Sequence, residues 1–213
     1  MSYPPEFQTK RLILKAVTEA DIPSYEKYFI DYEVIRHLSS VVPWPYPGDG
    51  VSHHIKTCIL PKQGDNKWVW GIYLRQETKE LIGVVDLWRP GKPENRGFWL
   101  GHQFWGYGYM TEAVIPVTDF AFDILGFNKL IFSNAVGNLR SRRIKEKTGA
   151  RVIGVEPASF VDPIYREREI WELSCDSWHV SRKETQIESP WPKPNQSFNP
   201  VAAYTGSSHL LLL

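Results

Sequence analysis

One stretch constrains this chain more than any other. Gly97–Ala113 reads GFWLGHQFWGYGYMTEA. Its opening residues suit an extended strand, its centre carries glycines, and from Met110 apolar residues recur at three- and four-residue spacing through Ala113, Val114, Val117, Ala121 and Ile124. A strand therefore runs into a glycine turn that opens a long helix, which Gly126 stops and Pro116 should bend. Such a junction favours an anion. Glycine lets backbone approach a ligand without a Cβ clash, and the first N–H groups of a helix have no internal partner. The helix dipole adds roughly 0.3–1 kcal/mol at exposed sites and about 2 kcal/mol when partly buried. A glycine turn kept for packing alone is the competing reading.

The spacing Gln103-x-x-Gly106-x-Gly108 narrows the ligand. It is not a Walker A loop, because no Gly-Lys-Ser/Thr follows. Nor is it a dinucleotide fingerprint, since a third glycine and a downstream acid on a second strand are missing.

Around this junction the pattern predicts an α+β fold. Arg11–Lys15 reads as a first strand, and Ile22, Tyr25, Tyr28 and Phe29 as one face of a short helix. The breaker-rich Val42–Gly50 reads as a loop before a helix over Val51–Ile59, with Asp49 as its cap. Trp68–Leu74 and Leu81–Trp88 read as a hairpin about the turn Gln76–Glu80, with Gly97–Leu100 as a third strand. After the long helix come a strand at Lys129–Phe132, a helix from Asn138 to Lys147 stopped by Gly149, and a strand pair at Arg151–Val155 and Tyr165–Leu173. From Ser181 the chain turns rich in Pro, Ser, Asn and Gln without periodicity, so residues 181–213 read as a tail, flexible or laid over the domain.

Composition excludes several classes. With 213 residues, 42% hydrophobic and 23% charged, one packed domain is expected. Lys+Arg 25 against Asp+Glu 24 leaves a net charge of +1 and no reason to expect nucleic acid as partner. Cys58 and Cys175 stand far apart without CxxC spacing, so neither a disulfide scaffold nor a metal site is predicted, and a reducing cytoplasm fits. No run approaches the roughly 18 apolar residues of a membrane span, and the N-terminus lacks a signal pattern. Nine Trp, ten Tyr and ten Phe suit an aromatic core or a slot for a flat or apolar ligand.

Gln103-x-x-Gly106-x-Gly108 after a strand resembles the pyrophosphate loop of the GNAT acetyltransferases. Trp99-Leu100-Gly101 and Gly108-Tyr109-Met110-Thr111-Glu112-Ala113 are similar to its branch of ribosomal-protein N-terminal acetyltransferases, as are Asn138-x-x-Ser141, Glu146-Lys147-x-Gly149 and the start Lys10-Arg11-Leu12-x-Leu14 with Asp21. The matches span about residues 9–175. The resemblance implies a mixed, mostly antiparallel central sheet with helices on both faces, over a domain at 9–178. It also implies transfer of an acetyl group from acetyl-CoA to a primary amine, a protein N-terminus or a small molecule. It leaves room for a homodimer.

By that resemblance the amides of Phe104, Trp105, Gly106, Tyr107, Gly108 and Tyr109, with Gln103 in the loop, would hold the CoA pyrophosphate. The edge of Phe98, Trp99 and Leu100 would take the pantetheine arm. Asn138 and Ser141 would line the wall beside the thioester, Asn138 serving as ligand, helix cap or both. Many relatives protonate the leaving thiolate from a Tyr seven residues after that Asn; here the position is Lys145. Ser141 is the candidate donor in its place, against a plain capping role. A non-catalytic acyl-CoA-binding module is the alternative.

The base stays open. Glu94, Asp86 and Glu156 are candidates, Asn95 stands where a Glu would be looked for, and a water chain could serve alone. Alternation sends Tyr165, Glu167, Glu169 and Trp171 to one face, although Arg166–Glu169 reads first as solvated ion pairing. His102 reads as a surface histidine. Arg140, Arg142, Arg143, Lys145 and Lys147 read as a solvated helix face, or as a contact to the CoA 3′-phosphate through Arg143 or Arg142. Trp44, Tyr46 and Trp88 could wall the acceptor site or pack in the core.

Overall fold

The central strand of the molecule is apolar at almost every position because both of its faces are covered. In β3 (Lys67–Leu74), Trp68, Trp70 and Ile72 enter one core while Val69 and Tyr73 enter another. The computed structural model describes residues 4–77, 79–89 and 94–184. Within them, β1 (Phe7–Gln8), β2 (Leu12–Ala16), β3, β4 (Gly83–Trp88) and β5 (Arg96–Leu100) form one antiparallel sheet in that order. A second antiparallel sheet has β6 (Lys129–Ala135), β8 (Glu167–Ser174) and β7 (Arg151–Pro157), with β8 central.

Helices cover both faces. On one side lie α1 (Ile22–Phe29), α2 (Tyr32–Ile35) and α3 (Gly50–His54), packing Tyr25, Phe29, Ile35 and Val51 against Val69 and Tyr73. On the other lies α4 (Tyr109–Asp119), which presses Met110, Ala113, Val114 and Val117 onto Trp70 and Val85. Burying each such large side chain is worth about 1.5–3 kcal/mol. The fold is therefore α+β, as the sequence predicts, with the central sheet divided in two.

Asn95 spans the division. Its amide donates to the Ile131 carbonyl at 2.7 Å, its Oδ1 accepts from the Ile131 amide at 3.0 Å, and its own carbonyl accepts from Trp88 at 2.9 Å. Beyond that join β5 and β6 separate, and a cleft opens between them. Across it stands α5 (Leu139–Lys147), whose N-terminus is capped by the Asn138 side chain.

Several elements differ from the sequence reading. The short β1 and the single-turn α2, capped by the Asp31 carboxylate, carry too few residues to show a period. Asp49 precedes α3 without a side-chain capping bond, and the helix continues as a wider turn over Ile55–Ile59. The long helix likewise changes to the wider register at Phe120–Ile124, where the Leu125 amide bonds the Phe120 carbonyl, before Gly126 ends it at φ 70°. A closing helix, α6 (Cys175–Glu184), takes in the first residues assigned to the tail. Its Trp178 is buried and donates to Asp119 at 2.8 Å, and Arg182 reaches the same carboxylate at 3.2 Å. The rest of that tail, 185–213, lies outside the described residues.

Candidate active site

The glycine turn is held in shape by backbone angle rather than by crowding. Gly106 and Gly108 sit at φ 86° and 79°, left-handed values that a side chain resists, yet a Cβ at Gly106 would meet nothing within 4 Å. The Phe104 and Trp105 amides turn back to the Gly101 and His102 carbonyls at 3.0 and 3.1 Å, so both are already engaged. The Glu112 amide, onto the Gly108 carbonyl at 3.1 Å, closes the first helical bond of α4. The amides of Tyr109, Met110 and Thr111 therefore point forward from the helix start, as the first turn of any helix leaves them. Arg11 braces the turn: its Nη1 donates to the Tyr107 carbonyl at 2.8 Å and its Nε to Glu112 at 2.7 Å.

This turn fronts a cavity of about 340 Å³. Phe98, Trp99 and Leu100 of β5 form one side, and Phe104, Trp105, Gly106, Gly108 and Tyr109 the floor of the turn. Asn138, Ser141 and Arg143 come from the α5 side. Gln103 and Tyr107 do not border it; both face solvent, Tyr107 stacked on Tyr109 at 5.6 Å.

The basic cluster of α5 divides by helical spacing. Arg140, Arg143 and Lys147 edge this cavity, with the Arg140 guanidinium 4.5 Å over the Trp105 ring. Arg142 turns away to Glu146 at 2.8 Å and to the buried Glu169 at 2.5 Å. Lys145 is 1% exposed, so it belongs to no solvated face.

A second cavity, of about 420 Å³, continues on the far side of the gap between β5 and β6. His37, Leu38, Phe98, Ser133 and Ser141 border both cavities. The second alone is bordered by Glu94, Arg96, Lys145 and Arg168. Its outer wall is the Pro157–Phe160 loop, tied to the chain after α2 by Ser40 to the Ser159 carbonyl at 3.0 Å and Val161 to the Leu38 carbonyl at 2.9 Å.

At the junction of the cavities Ser141 donates its amide to Asn138 Oδ1 at 3.2 Å, while its Oγ accepts from Lys145 Nζ at 2.6 Å. Burial, then the nearby Arg96 charge, push the Lys145 amine well below the usual lysine range, against the pull of Glu169 and Glu94. Arg96 is itself buried and lowered to about 9 by loss of water. It has one hydrogen bond, to Thr118 at 3.2 Å, and its Nε and Nη2 find no partner among the described residues. Both cations lie against the same two rings. Lys145 is 5.3 Å from the Phe98 centroid and 5.7 Å from that of Phe132, and Arg96 is 6.0 and 4.0 Å from them.

The carboxylates take distinct places. Glu94 accepts from Ser133 at 2.5 Å and from Arg168 at 3.0 Å, and Arg168 also grips Glu156. Glu169 is buried with Trp171 and Leu173 on one face of β8, where it accepts from Arg142 and Asn134, while Glu167 stays exposed. Glu167 is thus solvated, whereas Glu169 is buried. Asp86 borders neither cavity; burial pushes its carboxyl up, with Lys67 at 3.5 Å. Asn95 is spent on the sheet join. His102 is at the surface, 3.6 Å from Asp31. Trp44, Tyr46 and Trp88 also border neither cavity: Trp44 packs on Tyr32, Tyr46 on Phe29, and Trp88 beside Gly97.

His37, whose Nε2 lies 3.1 Å from the Tyr165 hydroxyl, had no signal in the sequence. Lys145 had one: it shares a helical face with Ser141 and Thr148, away from the face of Arg140, Arg143 and Lys147. Among the described residues no cluster of His, Cys, Asp or Glu could hold a metal, and no helix is long and apolar enough to cross a membrane.

A glycine loop at a helix start, opening on a cleft where an antiparallel sheet divides, is the arrangement of an acyltransferase. The sequence model of the Acetyltransferase (GNAT) domain matches residues 11–151, and the chain belongs to that family of N-acetyltransferases. Among curated relatives, the uncharacterized N-acetyltransferase YoaA of Bacillus subtilis (strain 168) is 26% identical over 71% of this chain and 85% of its own length. Two of the solved structures that share the fold are ribosomal-protein acetyltransferases. Ribosomal-protein-S5-alanine acetyltransferase from Vibrio fischeri superposes with TM-score 0.68 at 14% identity, over 82% of this chain and 99% of its own. RimL, a ribosomal L7/L12 alpha-N-protein acetyltransferase solved in complex with coenzyme A, does so with TM-score 0.66 at 17% identity, over 81% and 99%.

Proposed function

We propose that this acyltransferase moves an acetyl group from acetyl-CoA to a primary amine, with a protein N-terminus as the leading acceptor class and a small-molecule amine as the other. The observation that carries the reading is the pair of cavities meeting at Ser141, one fronted by the glycine turn and the other bordered by Glu94, Lys145 and Arg168.

The first cavity suits acetyl-CoA. Forward-pointing amides at the start of α4 fit a pyrophosphate, and Arg143, with Arg140 and Lys147, supplies charge for the remaining phosphate. The edge of β5 that faces the gap can hydrogen-bond an extended pantetheine arm through Phe98–Leu100. The second cavity admits the amine, whose cationic form Glu94 would draw in. The amine lone pair attacks the thioester carbonyl, the C–S bond breaks with its electrons going to sulfur, and Ser141 donates a proton to the thiolate. RimL, by its name, acts on a ribosomal protein, which favours the N-terminus among acceptors. Two free cysteines suit work in a reducing cytoplasm.

Differential thermal unfolding with acetyl-CoA, paired with release of CoA thiol across unblocked peptides, polyamines and aminoglycosides, tests the reading. A ligand at a hundredfold excess over its Kd stabilises by about 2.7 kcal/mol. No thermal shift with acetyl-CoA alongside a shift with NAD or ATP would overturn it. Binding without thiol release on any acceptor would leave an acyl-CoA-binding module, a reading that the lack of a tyrosine at position 145 leaves open.

A further inference from the structure

Ser141 touches both cavities, but Lys145 touches only the second, and the two side chains are joined at 2.6 Å. A hydroxyl facing the thioester side is thus connected through its own oxygen to an amine facing the acceptor side. We propose that Lys145 takes the proton from the acceptor nitrogen in the second cavity and returns it, through Ser141, to the thiolate leaving in the first. This assignment rests on the acetyl-transfer reading and gives its proton a path.

The balance is as follows. Attack by the amine on the carbonyl carbon forms the C–N bond and leaves positive charge on nitrogen and negative charge on oxygen. Lys145 Nζ, as a neutral amine, removes one N–H proton and becomes an ammonium. Collapse of the intermediate breaks C–S and sends the electron pair to sulfur. Ser141 gives its hydroxyl proton to sulfur while its Oγ receives one from Lys145 Nζ, so Lys145 ends neutral and no external acid or base is consumed.

The surroundings fit a group that must begin neutral. Lys145 is 1% exposed and lies between Phe98 and Phe132. Arg96 from β5 is the like charge that opposes protonation. Glu94, ahead of β5, and Glu169, on β8, oppose that effect, but each is held by an arginine, Arg168 and Arg142 respectively. Ser141 is the hydrogen-bond partner supplied by α5 itself, and His37, also bordering the second cavity, is kept toward its neutral form by burial. A solvated lysine, already an ammonium at neutral pH, could not accept the proton.

The test has two arms on the full chain. In the first, the ¹³Cε resonance of Lys145 is followed with pH and assigned by its loss in Lys145→Met; no acceptor is needed. The expected midpoint lies well below that of the exposed lysines, and a midpoint among theirs overturns the proposal. In the second, thiol release is measured for the wild type, Lys145→Met and Lys145→Arg with acetyl-CoA and the best amine from the acceptor screen. Proton transfer by a positioned side chain typically contributes about 10²–10⁴-fold. Both variants should therefore lose on the order of a hundredfold or more in kcat while KM for acetyl-CoA stays within a few-fold. Lys145→Arg keeps a charge and a donor to Ser141, so it separates proton acceptance from packing; near-normal kcat in either variant sinks the relay. A wild type that fails to bind acetyl-CoA would instead sink the functional reading itself.

Discussion

Arg11 and Glu112, 101 residues apart in sequence, meet at 2.7 Å across the mouth of the glycine turn. Glu112 also accepts from the Arg11 amide at 2.8 Å and the Thr9 hydroxyl at 2.6 Å, so one carboxylate fastens the start of β2 to the first turn of α4. Burial raises the Glu112 pKa, but these donors outweigh it and hold the carboxyl below its usual range.

Glu112→Ala removes one acceptor from three donors. Leaving a partly buried donor unpaired costs about 1–3 kcal/mol. The variant should unfold at lower denaturant than wild type by that margin, read from chemical melts, and bind acetyl-CoA more weakly as the turn loses its brace. An unchanged midpoint would mean the contacts are ornamental to stability.

Gly108→Val places a β-branched residue at φ 79°, a backbone angle it strongly resists. Its Cβ would have space, with Arg11 Nη2 at 3.6 Å, so the effect should be local distortion of the turn rather than unfolding. Circular dichroism should remain native while the thermal shift from acetyl-CoA disappears. Retained affinity in a folded variant would make the turn a packing device only.

Ser141→Ala separates two roles that the sequence could not. The capping bond to Asn138 comes from the Ser141 amide, which alanine keeps, so the cap survives and the stability lost is that of leaving the buried Lys145 amine without its acceptor, about 1–3 kcal/mol. If the hydroxyl donates to sulfur as proposed, that bond strengthens only as charge builds, and its loss belongs to kcat, on the order of tenfold to a thousandfold. Asn138→Ala should lose the cap instead, at about 1 kcal/mol. Normal turnover in Ser141→Ala would remove the hydroxyl from the chemistry.

Much of this was legible in the sequence, and the physical reason is locality. The strand, the glycine turn and α4 were readable because a 3.6-residue period and positive-φ glycines act over a few residues. The motif halves around Arg11 and Glu112 were each visible, although their contact was not. The second cavity has no such signature, since it is assembled from Leu38, Lys145 and Phe160, which share no period. Glu169 misled because charged neighbours suggest solvent, whereas its face of β8 is set by Trp171 and Leu173. The closing helix was missed in part because the polar run after Ser181 hides Arg182, an ionic residue with a buried partner.

That helix moves the edge of the domain. Trp178→Ala, which also removes the indole donor from Asp119, should cost about 3–5 kcal/mol. Truncation after Glu184 should leave acetyl-CoA affinity within a few-fold, while truncation after Ser174 should yield insoluble protein. Soluble, ligand-responsive protein ending at Ser174 would show that α6 is dispensable.

His54 should set part of the acid sensitivity. Burial, with Lys67 and His53 nearby, pulls its imidazole down to about 4, against about 6.5 in the unfolded chain. The folded state thus keeps it neutral while the unfolded state binds a proton, and stability falls as pH drops from about 6.5 toward 4. His54→Gln should flatten Tm against pH in that window. A Tm profile as steep as wild type would assign the slope to other groups.

Asn95 lends its side chain to a task that elsewhere belongs to the main chain. Its Oδ1 stands in for a peptide carbonyl opposite Ile131, so the two sheets share one rung made partly of borrowed material. A glutamate in its place would be one carbon too long for that rung and would carry a charge into a buried seam. The position where the sequence points to a catalytic acid is the pivot of a wishbone, holding together the base of the two prongs.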